Sequence, residues 1–320
     1  MKTKFSVLGL AVLLALGTNA VAADYPAKPI RMIVPWSAGG GSDVLIRAFQ
    51  PSLEKELGQR ILIENIPAGA TKVGTLELMK AKADGYTLLF SNEAWITRYY
   101  AKTYTEKVWE QMTPIANVTS EPIACIEVKA DSPFKTFEDL VKAAKANPGK
   151  LTCGNPGVGS PLDIVFDEMT KSADLDIQYV PFAGGGQSKV AMLGGHIDFR
   201  VCQPTEAIAM VRAGQSRVLV NWTDPRSPAF PTVPTAKELG LKYDEQYKII
   251  RGIWAPANMP AAIVEKLNKA VEKATKDPAF KKIAEDQFSY TIDYRNSKQV
   301  KDFVANFDKM FGPMLAKLNS

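Results

Sequence analysis

Two stretches of this chain set glycines at the start of a helix, an arrangement that binds anions. The first is Trp36-Ser37-Ala38-Gly39-Gly40-Gly41-Ser42-Asp43, and the second is Gly154-Asn155-Pro156-Gly157-Val158-Gly159-Ser160-Pro161. Amides in the first turn of a helix lack an internal partner, the helix dipole favours negative charge there, and glycines leave the backbone open to close approach. Two further loops carry groups suited to a small solute, Ser91-Asn92-Glu93-Ala94-Trp95 and Phe182-Ala183-Gly184-Gly185-Gly186, and Gln203 stands in a comparable turn, Cys202-Gln203-Pro204-Thr205. The chemistry on offer is capture of an anion by backbone amides. Trp36 and Trp95 are expected either as aromatic walls for the solute or as rim packing, Phe182 as a further wall, and Glu93 as a group that meets a cationic or hydroxyl group on the solute.

Covalent chemistry has weaker support. A serine hydrolase needs a base beside its nucleophile, yet His196 is the only histidine and reads as a surface turn residue in Gly194-Gly195-His196-Ile197. Ser160 follows Gly-Val-Gly and precedes proline, which is not a nucleophile elbow. Gly39-Gly40-Gly41 lacks the spacing of a dinucleotide fingerprint. Cys125, Cys153 and Cys202 match no zinc-ligand pattern, so neither a metal nor a cofactor is expected. Cys153 and Cys202 both end strand-like runs in one half of the chain and are the expected pair if a disulfide forms; three buried thiols are the other outcome. Asp43 reads as a helix cap ahead of a ligand contact, because a capping carboxylate already uses its acceptors. Arg200 lies inside an apolar strand, where a charge calls for a buried ion pair rather than a free clamp on a carboxylate.

Positioning these loops requires strands that end at them. Ile30 to Val34 reads as a strand, and Leu45, Phe49, Leu53 and Leu57 then draw one apolar stripe on a helix opened by Ser42 or Asp43. Arg60 to Glu64 and Thr87 to Ser91 continue a strand and helix alternation, which argues a parallel sheet with ligands at the carboxyl ends of its strands. The pattern restarts with a strand at Pro122 to Val128, then Lys150 to Cys153, Ile177 to Val180, Ile197 to Val201 and Arg217 to Val220. A last strand is expected at Ile249 to Trp254, followed by two covering helices. The fold class is therefore α/β with two doubly wound lobes facing each other. The expected division is residues 23–121 with 251–320 as lobe 1 and 122–250 as lobe 2, with crossings near Glu121 to Cys125 and Ile249 to Trp254.

Residues 1–22 read as a cleaved signal peptide. Lys2 and Lys4 precede an apolar run from Phe5 to Leu16, and Ala20 and Ala22 fit the small-residue cleavage rule. Cleavage leaves roughly 300 residues, enough for two domains with separate cores. The formal charge of +5 includes those two lysines, which is too balanced to argue for nucleic acid or an anionic membrane.

Several motifs then resemble one family. Tyr25-Pro26-Ala27-Lys28-Pro29-Ile30-Arg31, the Gly-Gly-x-x-Asp loop of Gly39, Gly40 and Asp43, Glu64-Asn65-x-Pro67 and Ala83-Asp84-Gly85-Tyr86-Thr87-Leu88-Leu89 are similar to the receptors of tripartite tricarboxylate transporters, which include the Bug-type periplasmic receptors. Gly157-x-Gly159-Ser160, Tyr179-Val180-Pro181, Leu193-Gly194-Gly195, Arg226-Ser227-Pro228 and Pro231-x-Val233-Pro234-Thr235 extend the resemblance over the mature chain. It implies a type II periplasmic-binding-protein, or Venus-flytrap, architecture without a cofactor. It also implies a ligand carboxylate held by amides and waters from Ser37 to Asp43, Ser91 to Trp95, Gly157 to Ser160 and Phe182 to Gly186. Its partner would be a membrane permease. Departures from the usual pattern at Trp36, Ala38, Asn65-Ile66-Pro67-Ala68 and Asp163 bear on which solute is taken: an aromatic acid, a dicarboxylate or an amino acid. A periplasmic monomer is expected, with an exported α/β enzyme for a small anionic substrate as the alternative.

Overall fold

A computed structural model describes residues 25–157, 159–241, 248–287 and 290–318. The signal-peptide expectation at residues 1–22 and the site expectation at Val158 lie outside them. The first sheet contains β1 (Ile30–Val34), β2 (Ile61–Asn65), β3 (Thr87–Asn92), β4 (Met112–Pro122), β10 (Lys248–Pro256) and β11 (Thr291–Asn296). The second contains β5 (Cys125–Lys129), β6 (Thr152–Asn155), β7 (Gln178–Pro181), β8 (Phe199–Cys202) and β9 (Ser216–Asn221). Their strand orders are β11-β4-β10-β3-β1-β2 and β7-β6-β8-β5-β9.

β1 runs parallel to β2 and β3, as strand and helix alternation requires. The sheet is not parallel throughout: β10 runs antiparallel between β3 and β4, and β11 lies antiparallel on β4. The expectation of a parallel sheet missed this because β4 has no strand signature of its own. Its Thr113, Pro114, Asn117, Thr119 and Ser120 interrupt the apolar pattern, and the strand is buried along nearly its whole length, so no alternation marks it. The run Pro122 to Val128 is divided at the buried Ile123 and Ala124, which carry the chain from the first sheet to the second. The return lies between Asn221 and Lys248, since β10 pairs with β4 from Lys248 onward.

The core of the first half follows the apolar stripe. Leu45, Phe49 and Leu53 on the Gly41–Leu57 helix bury against Ile30, Met32 and Val34 of β1, and Ile263, Leu267 and Val271 close the layer from the Ala261–Thr275 helix. Each such side chain contributes about 1.5–3 kcal/mol on burial. A second apolar cluster runs from Leu89 and Trp95 through Ile123 and Ala124 to Phe199 and Val220, so the crossing is packed on both sides. Among the described residues no helix is long and apolar enough to cross a membrane.

Candidate functional site

β1 delivers the chain to Trp36 and Ser37, and the Gly41–Leu57 helix begins directly after the turn. Gly40 is its N-cap, rather than Ser42 or Asp43. Asp43 braces the turn from inside the helix: Oδ2 accepts from the Gly39 N–H at 2.8 Å, and Oδ1 accepts from Arg47 Nε at 2.9 Å and Asn65 Nδ2 at 3.0 Å. Its acceptors are filled within its own half, which places it as a support of the loop and not as a contact for a solute. Gly39 supplies the positive φ of 75° that this turn needs.

The matching loop of the second half comes down on the first. The Gly41 N–H donates to Glu206 Oε1 at 2.6 Å, and Lys189 Nζ donates to the Gly39 carbonyl at 3.3 Å. The approach is close enough to exclude side chains: a Cβ on Gly184 would lie 2.5 Å from Ser37 Oγ, and one on Gly186 would overlap the Ala38 carbonyl oxygen. Between the loops lies a pocket lined by Trp36, Gly40, Gly41, Ser42 and Asn92 from one side and by Pro156, Ser160, Pro161, Leu162, Gly185, Gln203 and Glu206 from the other, with Arg251 at its base. Its free volume is about 20 Å³, room for about one water.

Three buried arginines frame this region, and two have acidic partners. Arg200 reaches Glu127 Oε2 at 2.6 Å and Glu206 Oε2 at 3.4 Å, and gives a hydrogen bond to the Gly185 carbonyl at 2.9 Å. It is the ion pair that a charge inside an apolar strand demands. Arg251 pairs with Glu121 and donates from Nε to Ser42 Oγ at 3.2 Å. Thr205 in the second half donates to the other Glu121 oxygen at 2.7 Å, so Glu121 ties the two halves beside the crossing. The third, Arg98 on the short Ala94–Tyr100 helix, is fully buried and donates from Nη2 to the Pro156 carbonyl at 3.0 Å. Its guanidinium lies 4.9 Å from the Trp36 ring, while Nε and Nη1 have no hydrogen-bond partner. Burial lowers its pKa to about 10, which still leaves it a cation at neutral pH.

Two carboxyls near the pocket are shifted the other way. Burial raises Glu93 to about 7, although Oε2 accepts from the Ile250 N–H at 3.0 Å; Oε1 is unpartnered. Burial likewise raises Asp163 to about 6, although it accepts from the Tyr179 hydroxyl at 2.5 Å and from the Gly159 N–H. Burial also raises Glu206, against the pull of Arg200 and the Gly41 N–H.

Of the residues expected at the site, Trp36, Gly40, Asn92, Ser160, Gly185 and Gln203 line the pocket. Ser37 lies beside it with a buried, unpartnered hydroxyl, and Ser91 accepts the Trp36 indole N–H at 3.3 Å. Gly157 and Gly159 take positive φ angles of 92° and 74°, and the Gly159 carbonyl accepts from Thr97 across the cleft at 2.6 Å. Ala38, Phe182, Ala183, Gly184 and Glu93 are outside the pocket wall, with Ala38 exposed and Phe182 and Ala183 half-buried. Trp95 does not line the pocket: its indole donates to Thr75 Oγ1 at 3.0 Å and its ring meets Trp254 edge-on at 5.0 Å in the core. His196 is exposed. Cys202 faces Cys125 directly across β5 and β8, with sulfurs 3.5 Å apart, so Cys153 is not its neighbour, and all three thiols are free. Sequence reasoning passed over Arg98, Glu121, Glu206 and Arg251. Nothing local marks them, since each acquires its surroundings only when distant segments meet.

The family model described as tripartite tricarboxylate transporter family receptor matches residues 45–320. The chain belongs to that family. A Cupriavidus necator relative designated UPF0065 protein in gbd 5'region is 34% identical over 98% of this chain and 93% of its own length. Among solved structures, the receptor is similar to the periplasmic binding protein BugD, with a TM-score of 0.82 and 25% identity over 92% of this chain and 97% of that one. MatC from Rhodopseudomonas palustris, with bound malate, gives a TM-score of 0.79 and 25% identity over 92% of this chain and 100% of that one. The architecture is that of the two-lobed periplasmic binding proteins, and the protein is a solute-binding receptor rather than the exported enzyme held as the alternative.

Proposed function

We propose that this receptor works in the periplasm, captures a small organic carboxylate between its lobes, and hands it to a membrane permease of the tripartite tricarboxylate type. Lobe 1 would comprise residues 23–121 and, because β10 joins the first sheet from Lys248, residues 248–320 rather than 251–320, with lobe 2 formed by the chain between them, turning about the two crossings. The observation that carries the reading is the meeting of two glycine-rich loops, one from each sheet, over a single pocket with the unpartnered Ser37 hydroxyl beside it. With only about 20 Å³ free, this arrangement has room for about one water, so capture of a multi-carbon acid requires the lobes to part and then to close on it at a slightly wider separation than the one seen here. The malate in MatC supports a carboxylate as the class. Closure around it would exclude water and strengthen each amide-to-carboxylate bond. Both walls of the cleft come from one chain, which supports a monomer as the working unit.

The test is thermal unfolding of the mature chain with malate, succinate, citrate, benzoate and glutamate, after refolding to remove co-purified solute. A solute at about a hundredfold over its dissociation constant adds about 2.7 kcal/mol, which moves the midpoint by several degrees. A selective shift, with the solute recovered chemically unchanged, is expected. No shift with any of the five would refute the carboxylate class.

A further inference from the structure

The helix Ala94–Tyr100 belongs to lobe 1, but among the described residues the Arg98 guanidinium makes its one hydrogen bond to Pro156 of lobe 2. The loop around it is just as close: a Cβ on Gly157 would lie 3.8 Å from Arg98 Nη2, and one on Gly159 would lie 3.3 Å from Arg98 Cγ. Arg98 is therefore covered in large part by the other lobe, and parting the lobes returns its guanidinium to water. Closure strips that water away. In exchange the guanidinium receives one carbonyl and the face of Trp36, a ring that lines the pocket, while Nε and Nη1 are left without acceptors. Asp163, the acidic group that acts on it from lobe 2, already has its oxygens engaged by Gly159 and Tyr179. Burying a cation in this condition is unfavourable unless an anion arrives with it.

We propose that Arg98 binds a carboxylate of the solute through Nε and Nη1, and that this contact makes closure of the cleft depend on an anion. The proposal rests on the reading of the cleft as a carboxylate site and adds to it a side chain that selects the charge. A guanidinium edge offers two parallel N–H groups, which match the two oxygens of one carboxylate. The Trp36 ring holds the guanidinium by its face and leaves that edge free to act. Neutral solutes of the same size would leave the cation unpaired in the closed form and be rejected.

The experiment titrates the wild type, Arg98→Met and Arg98→Lys calorimetrically with whichever of the five carboxylates the wild type binds. The affinity of Arg98→Met is expected to fall at least 100-fold and that of Arg98→Lys to lie between the two, because lysine keeps the charge without the fork. The unliganded Arg98→Met protein is expected to unfold no lower than the wild type, a result that a merely structural arginine would not give. If Arg98→Met does not fold, Arg98→Gln replaces it, with the same 100-fold loss expected. Wild-type affinity in whichever of the two folds would overturn the proposal while leaving the carboxylate receptor standing. A wild type that binds none of the five overturns the underlying reading instead.

Discussion

Replacing Gly186 by alanine should separate folding from closure. Gly186 is the second residue of the Gly185–Leu193 helix, so alanine suits its own lobe and should stabilise that helix by about 0.5–1 kcal/mol. Its new methyl, however, would overlap the Ala38 carbonyl oxygen and lie 3.2 Å from Ser37 Oγ, both in the opposite lobe. Relieving the overlap requires the loops to move apart by about 1 Å. That movement breaks the 2.6 Å bond from the Gly41 N–H to Glu206 and the 3.3 Å bond from Lys189 to Gly39. A hydrogen bond to a charged group contributes about 1.5–3 kcal/mol and a weaker one about 1 kcal/mol. The closed form should lose about 2–4 kcal/mol, a 30-fold or greater drop in solute affinity. Calorimetric titration beside a thermal melt measures both quantities. Unchanged affinity in a folded Gly186→Ala protein would mean that binding does not use this approach of the loops.

Other outcomes follow from groups already placed. Glu93 and Asp163 have native pKa values raised to about 7 and about 6, so the native state holds protons there that the unfolded chain releases. Stability should therefore fall as pH rises from about 4 to about 7 and level off above that, and Glu93→Gln should remove the part of the fall that lies between 4.5 and about 7; an identical slope in the variant would count against the assignment. Trp95→Phe should cost about 1–3 kcal/mol of stability through lost volume and the lost Thr75 bond, with solute affinity nearly unchanged. A large affinity loss at unchanged stability would return Trp95 to the cleft. Burial raises the Cys153 and Cys202 thiols well above their ordinary range, so a thiol reagent should find none of the three until the chain unfolds, and then all three. A count of one after unfolding would mean that Cys125 and Cys202 have joined across the strands.

The sequence carried the loops better than the charges. Gly39 and Gly40, Gly157 and Gly159, and Gly184 and Gly185 were legible because a backbone that must approach another backbone leaves glycines in the sequence. Trp36 and Gln203 were placed by their position after strand ends. Trp95 sat in an equally suitable position but packs in the core, since the direction of its ring is decided by Thr75 and Trp254, far away in sequence. Arg98, Glu121, Glu206 and Arg251 carry no local signature, because their roles come from partners on other segments and from burial between lobes. The strands β4 and β11 were hidden for a related reason: a strand covered on both faces, or one at a half-exposed edge, shows neither alternation nor a clean apolar run.

Capture between lobes that open and close changes the overall dimensions of the receptor, which small-angle X-ray scattering of the mature chain measures. The unliganded receptor should have a radius of gyration larger than that calculated from the closed structure, and saturating solute should bring it down toward the calculated value. A radius that stays the same with and without a solute shown calorimetrically to bind would contradict this mode of capture.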